Sequence, residues 1–466
     1  MFGKPLPNLL FLMADQHRYD CVGKAGICPV STPNLDRLAE EGGFFRNAFT
    51  PMPICAPARQ CLASGRMGDS FGAFWNYDMP GLPCQSLSCD GTSWTNRLQR
   101  SGYQTAFLGH WHASRQYSAS DFGYSCVIGN DLWARHVAEK YPNRQYTGGW
   151  MGEESFVELE DSQTHFMAAK ACKLLGQYAD SGRPFHLRLD FSDPHLPCRP
   201  SQPFSRMYDP KDVPPWNSFG DSFEGKPYIQ KQMIYNWGNQ GRTRWEDWNS
   251  CVARYYGLVS QLDDAVGRIL QTLEDLGLAD NTIVVYTSDH GDTCGGHGML
   301  DKHYVLYDDV ARIPLIIRWP GVAKPGRVAE EFVTHMLDLV PTIEQACGLT
   351  PHPGNQGLSL LPLLRGEEQP ERDDFAVSSS NGQQFGFFCN RSIRTKEYRY
   401  VWNLTDVDEL YALPEDPGEK RNLAADPAYA PVLKELRRKL YDKLAAYDDP
   451  FAKGWVGEQL TGDMKI

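Results

Sequence analysis

Residues 8–16 read Asn8-Leu9-Leu10-Phe11-Leu12-Met13-Ala14-Asp15-Gln16, an apolar run of strand length that ends in a carboxylate and a carboxamide. The run does not alternate between apolar and polar, so a strand built from it is covered on both faces, as in a parallel sheet layered between helices. Three further runs end in the same way. Residues 105–108 lead to His110-Trp111-His112, residues 185–191 to Asp193-Pro194-His195, and residues 282–288 to Asp289-His290-Gly291-Asp292. A fifth apolar run covers 315–319, and helix-patterned stretches at 32–42, 92–102, 162–178 and 251–276 lie between the runs. This alternation predicts an α/β fold, a large mostly parallel sheet sandwiched by helices. In an open sheet of that kind ligands bind beyond the carboxyl ends of the strands, so the four polar tips are expected to converge on one pocket.

Two composition breaks set the expected organisation. Residues 197–247 are rich in Pro, Trp, Tyr and Gly and read as a long irregular insertion that shapes a pocket. The charged, Pro-containing stretch 367–374 is followed by strand-like pieces at 384–389 and 398–402 and a helix at 431–447. The expected division is a catalytic α/β domain over 1–370 and a smaller C-terminal α+β subdomain over 371–466, with antiparallel strands and a terminal helix.

One segment outside the strand tips carries chemistry of its own, Cys55-Ala56-Pro57-Ala58-Arg59-Gln60-Cys61-Leu62-Ala63-Ser64-Gly65-Arg66. Pro57 suits a first helical turn and Gly65 the residue past the last one, which puts Cys55 at a helix N-terminus. Free N–H groups and the positive end of the helix dipole there favour an anion such as sulfate or phosphate. Cys55 itself reads as a buried small hydrophobe, half of a disulfide, or a thiolate of lowered pKa. Arg59, one turn on, presents a guanidinium on the same face.

Composition narrows the classes. With 46 basic and 58 acidic side chains the formal charge of the 466-residue chain is -12, which argues against non-specific nucleic-acid binding. An anionic substrate must therefore be drawn by a local cluster of positive groups. Thirteen cysteines, without a Cys-x-x-Cys pair, suit reduced thiols better than a disulfide framework or a structural zinc. The first residues lack a basic segment leading into a long apolar stretch, and 9–13 is too short to span a bilayer, so the expectation is a cytoplasmic protein with no membrane partner. The set Asp15, Gln16, Asp289 and His290 is dominated by oxygen donors, which favours Ca²⁺ or Mg²⁺ over zinc. Lys302, after the glycine-rich stretch 295–298, could add a cation to the pocket, although a solvated surface lysine is the default.

These residues resemble a known family. Cys55-x-Pro57-x-Arg59 with Leu62-x-x-Gly65-Arg66 is similar to the signature of the type I sulfatases of the alkaline phosphatase superfamily. The likeness continues in order through Ala14-Asp15-Gln16, Gly109-His110-Trp111-His112, Asp193-Pro194-His195-x-Pro197, residues 287–292, Lys302, residues 312–315 and the tail segments 408–411 and 416–419. It implies an alkaline phosphatase-like fold and hydrolysis of a sulfate monoester to alcohol and inorganic sulfate. It also implies that a separate maturation enzyme oxidises Cys55 to Cα-formylglycine, whose hydrate is the nucleophile. By the same resemblance Asp15, Gln16, Asp289, His290 and the Cys55 product hold the cation, Arg59 supports the diol and the sulfate charge, and His195 and Lys302 bind sulfate and protonate the leaving oxygen. His112 takes the proton whose removal expels sulfate. His110, Asn76 and Trp111 are the candidate substrate contacts, and a small sulfated sugar or an aryl or steroid sulfate the candidate substrate; a homo-oligomer is compatible with the sequence.

Three positions depart from the family pattern: Ala58 for a frequent Ser, Gln16 for a second Asp, and His110 for a frequent Lys. A histidine of ordinary pKa is only partly charged at neutrality, so His110 is expected to weaken the sulfate grip above neutral pH. Phosphonate monoester or phosphodiester hydrolysis is the alternative within the superfamily, and His112 weighs against it. A non-catalytic protein that binds a sulfated ligand is the alternative if Cys55 stays a thiol. Trp75, Tyr77, Trp150, Trp216 and Trp237 join Trp111 as candidate stacking surfaces, although aromatic side chains are more often core.

Overall fold

The computed structural model describes residues 6–76, 87–302, 304–382, 386–462 and 465, so Tyr77 and the start of the piece at 384–389 lie outside the described residues. The main sheet is built from β1 (Asn8–Asp15), β2 (Gly43–Phe49), β3 (Gln104–Gly109), β4 (Cys126–Gly129), β5 (Phe185–Pro194), β6 (Thr282–Ser288), β7 (Leu315–Arg318) and β8 (Arg327–Thr334). Their order is β4-β3-β5-β1-β6-β7-β2-β8. All neighbours are parallel except β7, which runs antiparallel to both β6 and β2. β1 is buried along its whole length between β5 and β6, as its unbroken apolar run requires. The four strands whose ends carry polar clusters, β3, β5, β1 and β6, are consecutive in the sheet, and their carboxyl ends share one edge.

Helices cover both faces. α1 (Pro33–Glu41), α5 (Gln163–Ser181) and α7 (Asn249–Asp275) pack on one side, with α2 (Cys55–Ser64) and the helix His335–Ala346 on the other; α3 (Trp94–Arg100), α4 (Asn130–Lys140) and α6 (Tyr228–Asn236) lie in connections. Local chemistry fixes the helix ends. The Ser162 hydroxyl accepts from His165 N–H to start α5, and Gly182 in the left-handed region ends it. The buried carboxylate of Asp263, on α7, accepts the N–H groups of Asn34 and Leu35 and so caps α1 from a neighbouring helix.

A second, antiparallel sheet follows, β9 (Phe375–Ser380), β10 (Asn390–Thr395), β11 (Tyr398–Asn403) and β12 (Glu409–Ala412), in the order β12-β11-β10-β9, with a helix at Ala430–Ala446 behind it. One apolar cluster runs from Leu9 on β1 to Leu444 on this helix. The piece expected at 384–389 is corrected: Phe387, Phe388 and Cys389 precede the strand, which begins at Asn390. The insertion 197–247 is irregular apart from α6 and short turns.

Candidate active site

β1 ends at Asp15, and Gln16 follows with φ 72°, a sparsely populated backbone for a side chain with a Cβ. The turn is fixed by two bonds: Gln16 N–H donates to Asp289 Oδ1 (3.1 Å) and Gln16 O accepts from the Tyr255 hydroxyl (2.7 Å). Asp289 and His290 follow β6 directly and are fully buried. Across from them stands Cys55, the first residue of α2. Its Sγ lies 3.2 Å from His290 Nε2 and 3.9 Å from Asp15 Oδ1. Ligand atoms from Asp15, Cys55, Asp289 and His290 all fall within 4.8 Å of one another.

The donor set suits a cation. His290 shares Nδ1 with the Gly291 carbonyl at 2.9 Å, so Nδ1 carries the proton of the neutral ring and Nε2 is turned to the cluster. Burial, then the neighbouring Asp289 and Cys55, push the Asp15 carboxyl up to about 6. Burial alone would lower His290, but Asp289 and Cys55 hold it at about 9. Negative groups crowded this closely are the electrostatic complement of a divalent ion.

Burial also opposes ionisation of the Cys55 thiol; Lys302 and His290, with hydrogen bonds from His112 and His195, overcome it and hold the thiol well below its ordinary range. The helix end contributes less than its free N–H groups promised, because Asn76 Oδ1 accepts the Ala56 N–H at 2.9 Å. Asn76 thereby caps α2 while lining the pocket.

Arg59 is placed behind the site. Its guanidinium donates to Asp15 (2.9 Å), Asp190 (2.6 Å), Asp289 (2.9 Å) and the His110 carbonyl (2.9 Å), is fully buried and does not line the cavity. For its expected support of the diol and the sulfate charge this leaves an indirect route, through the carboxylates it holds: every edge of the guanidinium is engaged by the protein's own acceptors. Arg59 is a positioning residue for three carboxylates.

Gln16 likewise faces inward. Its amide donates to Asp292 (2.6 Å) and Asp301 (3.1 Å), and its Oε1 accepts from Lys302 Nζ (2.9 Å). In this arrangement it links the carboxylate cluster to Lys302, which takes one of the two lone pairs of its oxygen. Lys302 Nζ also donates to His195 Nε2 (2.9 Å) and pairs with Asp301 (3.0 Å), while His195 Nδ1 meets the Leu196 carbonyl (2.6 Å). Lys302 is buried, not solvated.

β3 delivers the histidines. Gly109 has φ 97°, and a Cβ there would lie 1.9 Å from the Asp190 carbonyl oxygen, so only glycine lets the chain leave β3 against β5. His110 and His112 follow, with ring centroids 4.6 Å apart, and both line the cavity. Burial, with Arg59 and His112 nearby, pushes His110 down to about 3. Burial thus favours the neutral ring, where residue type alone led to partial charge near neutrality. Its folded pKa lies below its ordinary 6.5, so the unfolded chain binds the extra proton, and His110 withdraws stability as pH falls from about 6.5 towards 3. His110→Asn should leave the shape of the pH–rate curve between about pH 6 and 9 unchanged and raise stability at about pH 4; pH-resolved kinetics and urea melts read both.

The cavity has a volume of about 580 Å³, in the range that encloses a small ligand, and is lined by Asp15, Cys55, Asn76, His110, His112, His195 and Lys302 at its floor. Trp150 and Trp237 line it as well, and the insertion adds Pro197, Arg199 and Ser201. Trp111 does not. Its indole packs among Phe107, Phe122 and Tyr124 and donates to the Tyr117 carbonyl, which corrects its expected role as a substrate contact. Trp216 packs under the Arg18 guanidinium, away from this cavity, and Trp75 donates to the Asn381 carbonyl.

Sequence reasoning missed Asp190, which joins Arg59 to Arg188. The signal was present, since His186, Arg188 and Asp190 alternate through a run otherwise read as apolar. It also missed Asp292 and Asp301 as the partners of Gln16, because the hydrogen bonds span 276 and 285 residues.

The sulfatase family model matches residues 7–349, and that of the N-sulphoglucosamine sulphohydrolase C-terminal region matches 295–446. An ulvan-active sulfatase of Formosa agariphila is 28% identical over 458 residues, covering 96% of this chain and 82% of that protein. An N-acetylglucosamine-6-O-sulfatase of Bacteroides thetaiotaomicron is 26% identical over 511 residues, covering 95% and 87%. The crystal structure of a phosphonate monoester hydrolase of Agrobacterium radiobacter superposes with a TM-score of 0.81 at 25% identity, covering 95% of this chain and 96% of that one. With the family match spanning most of its length, and with a cysteine, two aspartates and a histidine gathered at the carboxyl edge of an alkaline phosphatase-like sheet, the chain belongs to the sulfatase family and is a hydrolase of sulfate esters.

Proposed function

We propose that this protein cleaves the sulfate monoester of a small sulfated sugar or aryl alcohol at Cys55, after Cys55 has been oxidised to formylglycine. The observation that carries the reading is the cluster of Asp15, Cys55, Asp289 and His290, buried at one spot from three separate parts of the chain. Asp15, Asp289, His290 and the residue-55 side chain would hold Ca²⁺ or Mg²⁺; the ion and the hydrated aldehyde, when present, supply a strong oxygen nucleophile at neutral pH.

The remaining work falls to side chains that line the cavity. Lys302 Nζ, held above the ordinary lysine range despite burial by Asp301, Cys55 and Asp15, keeps positive charge where the ester sulfate is bound. His195, whose Nε2 lies 2.9 Å from Lys302 Nζ and which Asp15 and Cys55 hold above the ordinary histidine range against burial, gives the proton to the departing alcohol oxygen. His112, hydrogen-bonded to the residue-55 side chain, removes the proton from the remaining hydroxyl there and so releases sulfate. His110 and Asn76 add neutral hydrogen-bonding groups to the floor.

This division of labour has a kinetic signature. His195→Ala should lower kcat on a sulfated sugar, whose alkoxide needs a proton, by about 10²–10⁴-fold, and much less on 4-nitrophenyl sulfate, whose phenolate leaves without one. Equal losses on the two would remove His195 from proton delivery.

The proposed function itself is tested by comparing sulfate release from a sugar 6-sulfate and from 4-nitrophenyl sulfate with hydrolysis of an aryl phosphonate ester by the matured protein. Each is assayed before and after dialysis against EDTA and back-titration with Ca²⁺ or Mg²⁺. Sulfate release that falls with EDTA and returns with the ion is expected; dominant phosphonate turnover, or turnover indifferent to chelation, contradicts it.

A further inference from the structure

Resting on that reading, the outer half of the cavity says which sulfate esters are preferred. Two permanently charged cations line the cavity. Lys302 is fully engaged by Gln16, His195 and Asp301. Arg199 is not: its Nε is buried and meets no hydrogen-bond acceptor among the described residues, and no carboxylate there forms an ion pair with it.

The guanidinium is nevertheless held in place. It lies 4.0 Å over the Tyr146 ring centroid, and that ring stacks in turn on Phe156 at 4.3 Å. The chain on either side of Arg199 is pinned: Glu153 N–H donates to the Cys198 carbonyl (3.1 Å) and Ser155 N–H to the Pro200 carbonyl (2.9 Å). Tyr146 is tied to the same segment through its hydroxyl and Ser155 Oγ, 2.9 Å apart. Gly152 permits the close approach; with φ 76°, a Cβ there would sit 2.0 Å from the Cys198 oxygen. Glu153, the acid whose ionisation Arg199 favours, gives its carboxylate to the N–H groups of Thr147 and Gly148 and to the Thr147 hydroxyl. A stacked guanidinium without an ion-pair partner among the described residues is a preorganised receptor for an oxyanion, and its two Nη groups match a carboxylate in bidentate fashion.

Trp150 and Trp237, edge to face at 5.5 Å, line the same cavity, and Trp150 is exposed. They offer an aromatic wall to a sugar ring. Against a net charge of -12, a cation in this pocket with no ion-pair partner among the described residues is a local source of attraction for an anionic ligand.

We propose that Arg199 forms a second anion subsite, so that the preferred substrate is a sulfated saccharide bearing a further oxyanion, a carboxylate or a second sulfate, on the same or an adjacent ring. The sulfate to be cleaved sits at Cys55, His195 and Lys302, and the second anion at Arg199.

The test uses matched probes with the matured protein: a sulfated uronic acid and its methyl ester, a disulfated and a monosulfated neutral sugar, and 4-nitrophenyl sulfate. The wild type should favour the acid over its ester, or the disulfated over the monosulfated sugar, by about 10- to 100-fold in kcat/KM, and which pair shows the preference identifies the anion. Arg199→Ala should collapse that ratio towards one, mainly through KM, and Arg199→Lys should restore part of it. A wild type with no preference within either pair, or an Arg199→Ala protein that keeps the preference, overturns the subsite. Should the sugars not turn over, the same pairs are compared as inhibitors of 4-nitrophenyl sulfate hydrolysis, with equal inhibition constants within both pairs counting against the proposal. Loss of sulfate release from every probe in the wild type would instead contradict the proposed function. Calorimetric titration of the acid and ester pair and of the disulfated and monosulfated pair still reads the subsite in that case, and equal affinity within both pairs overturns it.

Discussion

Cys55→Ala will lower kcat/KM for sulfate release by roughly 10⁴- to 10⁶-fold, the range seen when an enzyme loses its nucleophile and keeps the rest of its site. Cys55 is buried, and it is the point on which Asp15, His290, His112 and His195 converge. Among the described residues, its neighbours in the cluster are Asp15, Asp289 and His290, and none of them is a thiol or hydroxyl. Lys302, His195 and His112 retain their positions in the variant, so affinity for a sulfated product analogue should change far less than turnover. Stability should move by only about 1 kcal/mol, because one small buried group is replaced by another and a negative group is removed from a crowded anionic site. A variant that keeps more than about a hundredth of wild-type turnover places the chemistry elsewhere.

Arg59→Met is expected to cost about 3–5 kcal/mol of folding stability, the largest stability effect of any single change in the site. The guanidinium, with no exposed surface, neutralises Asp15, Asp190 and Asp289 at once, and those carboxylates hold it well above the ordinary arginine range although burial works the other way. Removing it leaves three buried acids with Arg188, which pairs with Asp190, and His290, 3.8 Å from Asp15 and 3.7 Å from Asp289, as their remaining partners. In the variant these carboxyls take up protons more readily folded than unfolded. The stability this recovers is present at low pH and is lost as pH rises through their raised pKa values, so the gap to wild type narrows on acidification. Urea melts at about pH 5 and pH 8 measure this directly; a loss independent of pH would mean that packing, not charge, is what Arg59 supplies.

The four strand tips were legible because unbroken apolar runs that stop at a carboxylate or histidine have few structural uses other than buried strands ending at a pocket. β1, β3, β5 and β6 are adjacent, and the metal-binding candidates Asp15, Asp289 and His290 meet Cys55 as that topology requires. In the main sheet the strands that escaped the sequence are those the pattern describes poorly. β4 is a four-residue edge strand, β8 is an edge strand carrying exposed charge, and β2 contains Arg46 and Asn47 within an aromatic run. Within the site, residue type fixed membership but not direction. Arg59 faces three acids instead of the cavity, Trp111 faces the core, and Gln16 faces Lys302, and each of these depends on partners far away in the chain. His110 shows the same limit: its charge is decided by burial beside Arg59, which spacing along the chain does not encode.

The proposed chemistry requires residue 55 to be an aldehyde in the active protein. Mass spectrometry of the peptide spanning residues 55–59, taken from protein co-produced with a formylglycine-generating enzyme and sorted by specific activity, tests this most directly. The expected result is a peptide lighter than the thiol form and reactive towards a hydrazide probe, in a fraction that rises in proportion to sulfate release. Full activity in a preparation whose residue 55 is entirely thiol would contradict it.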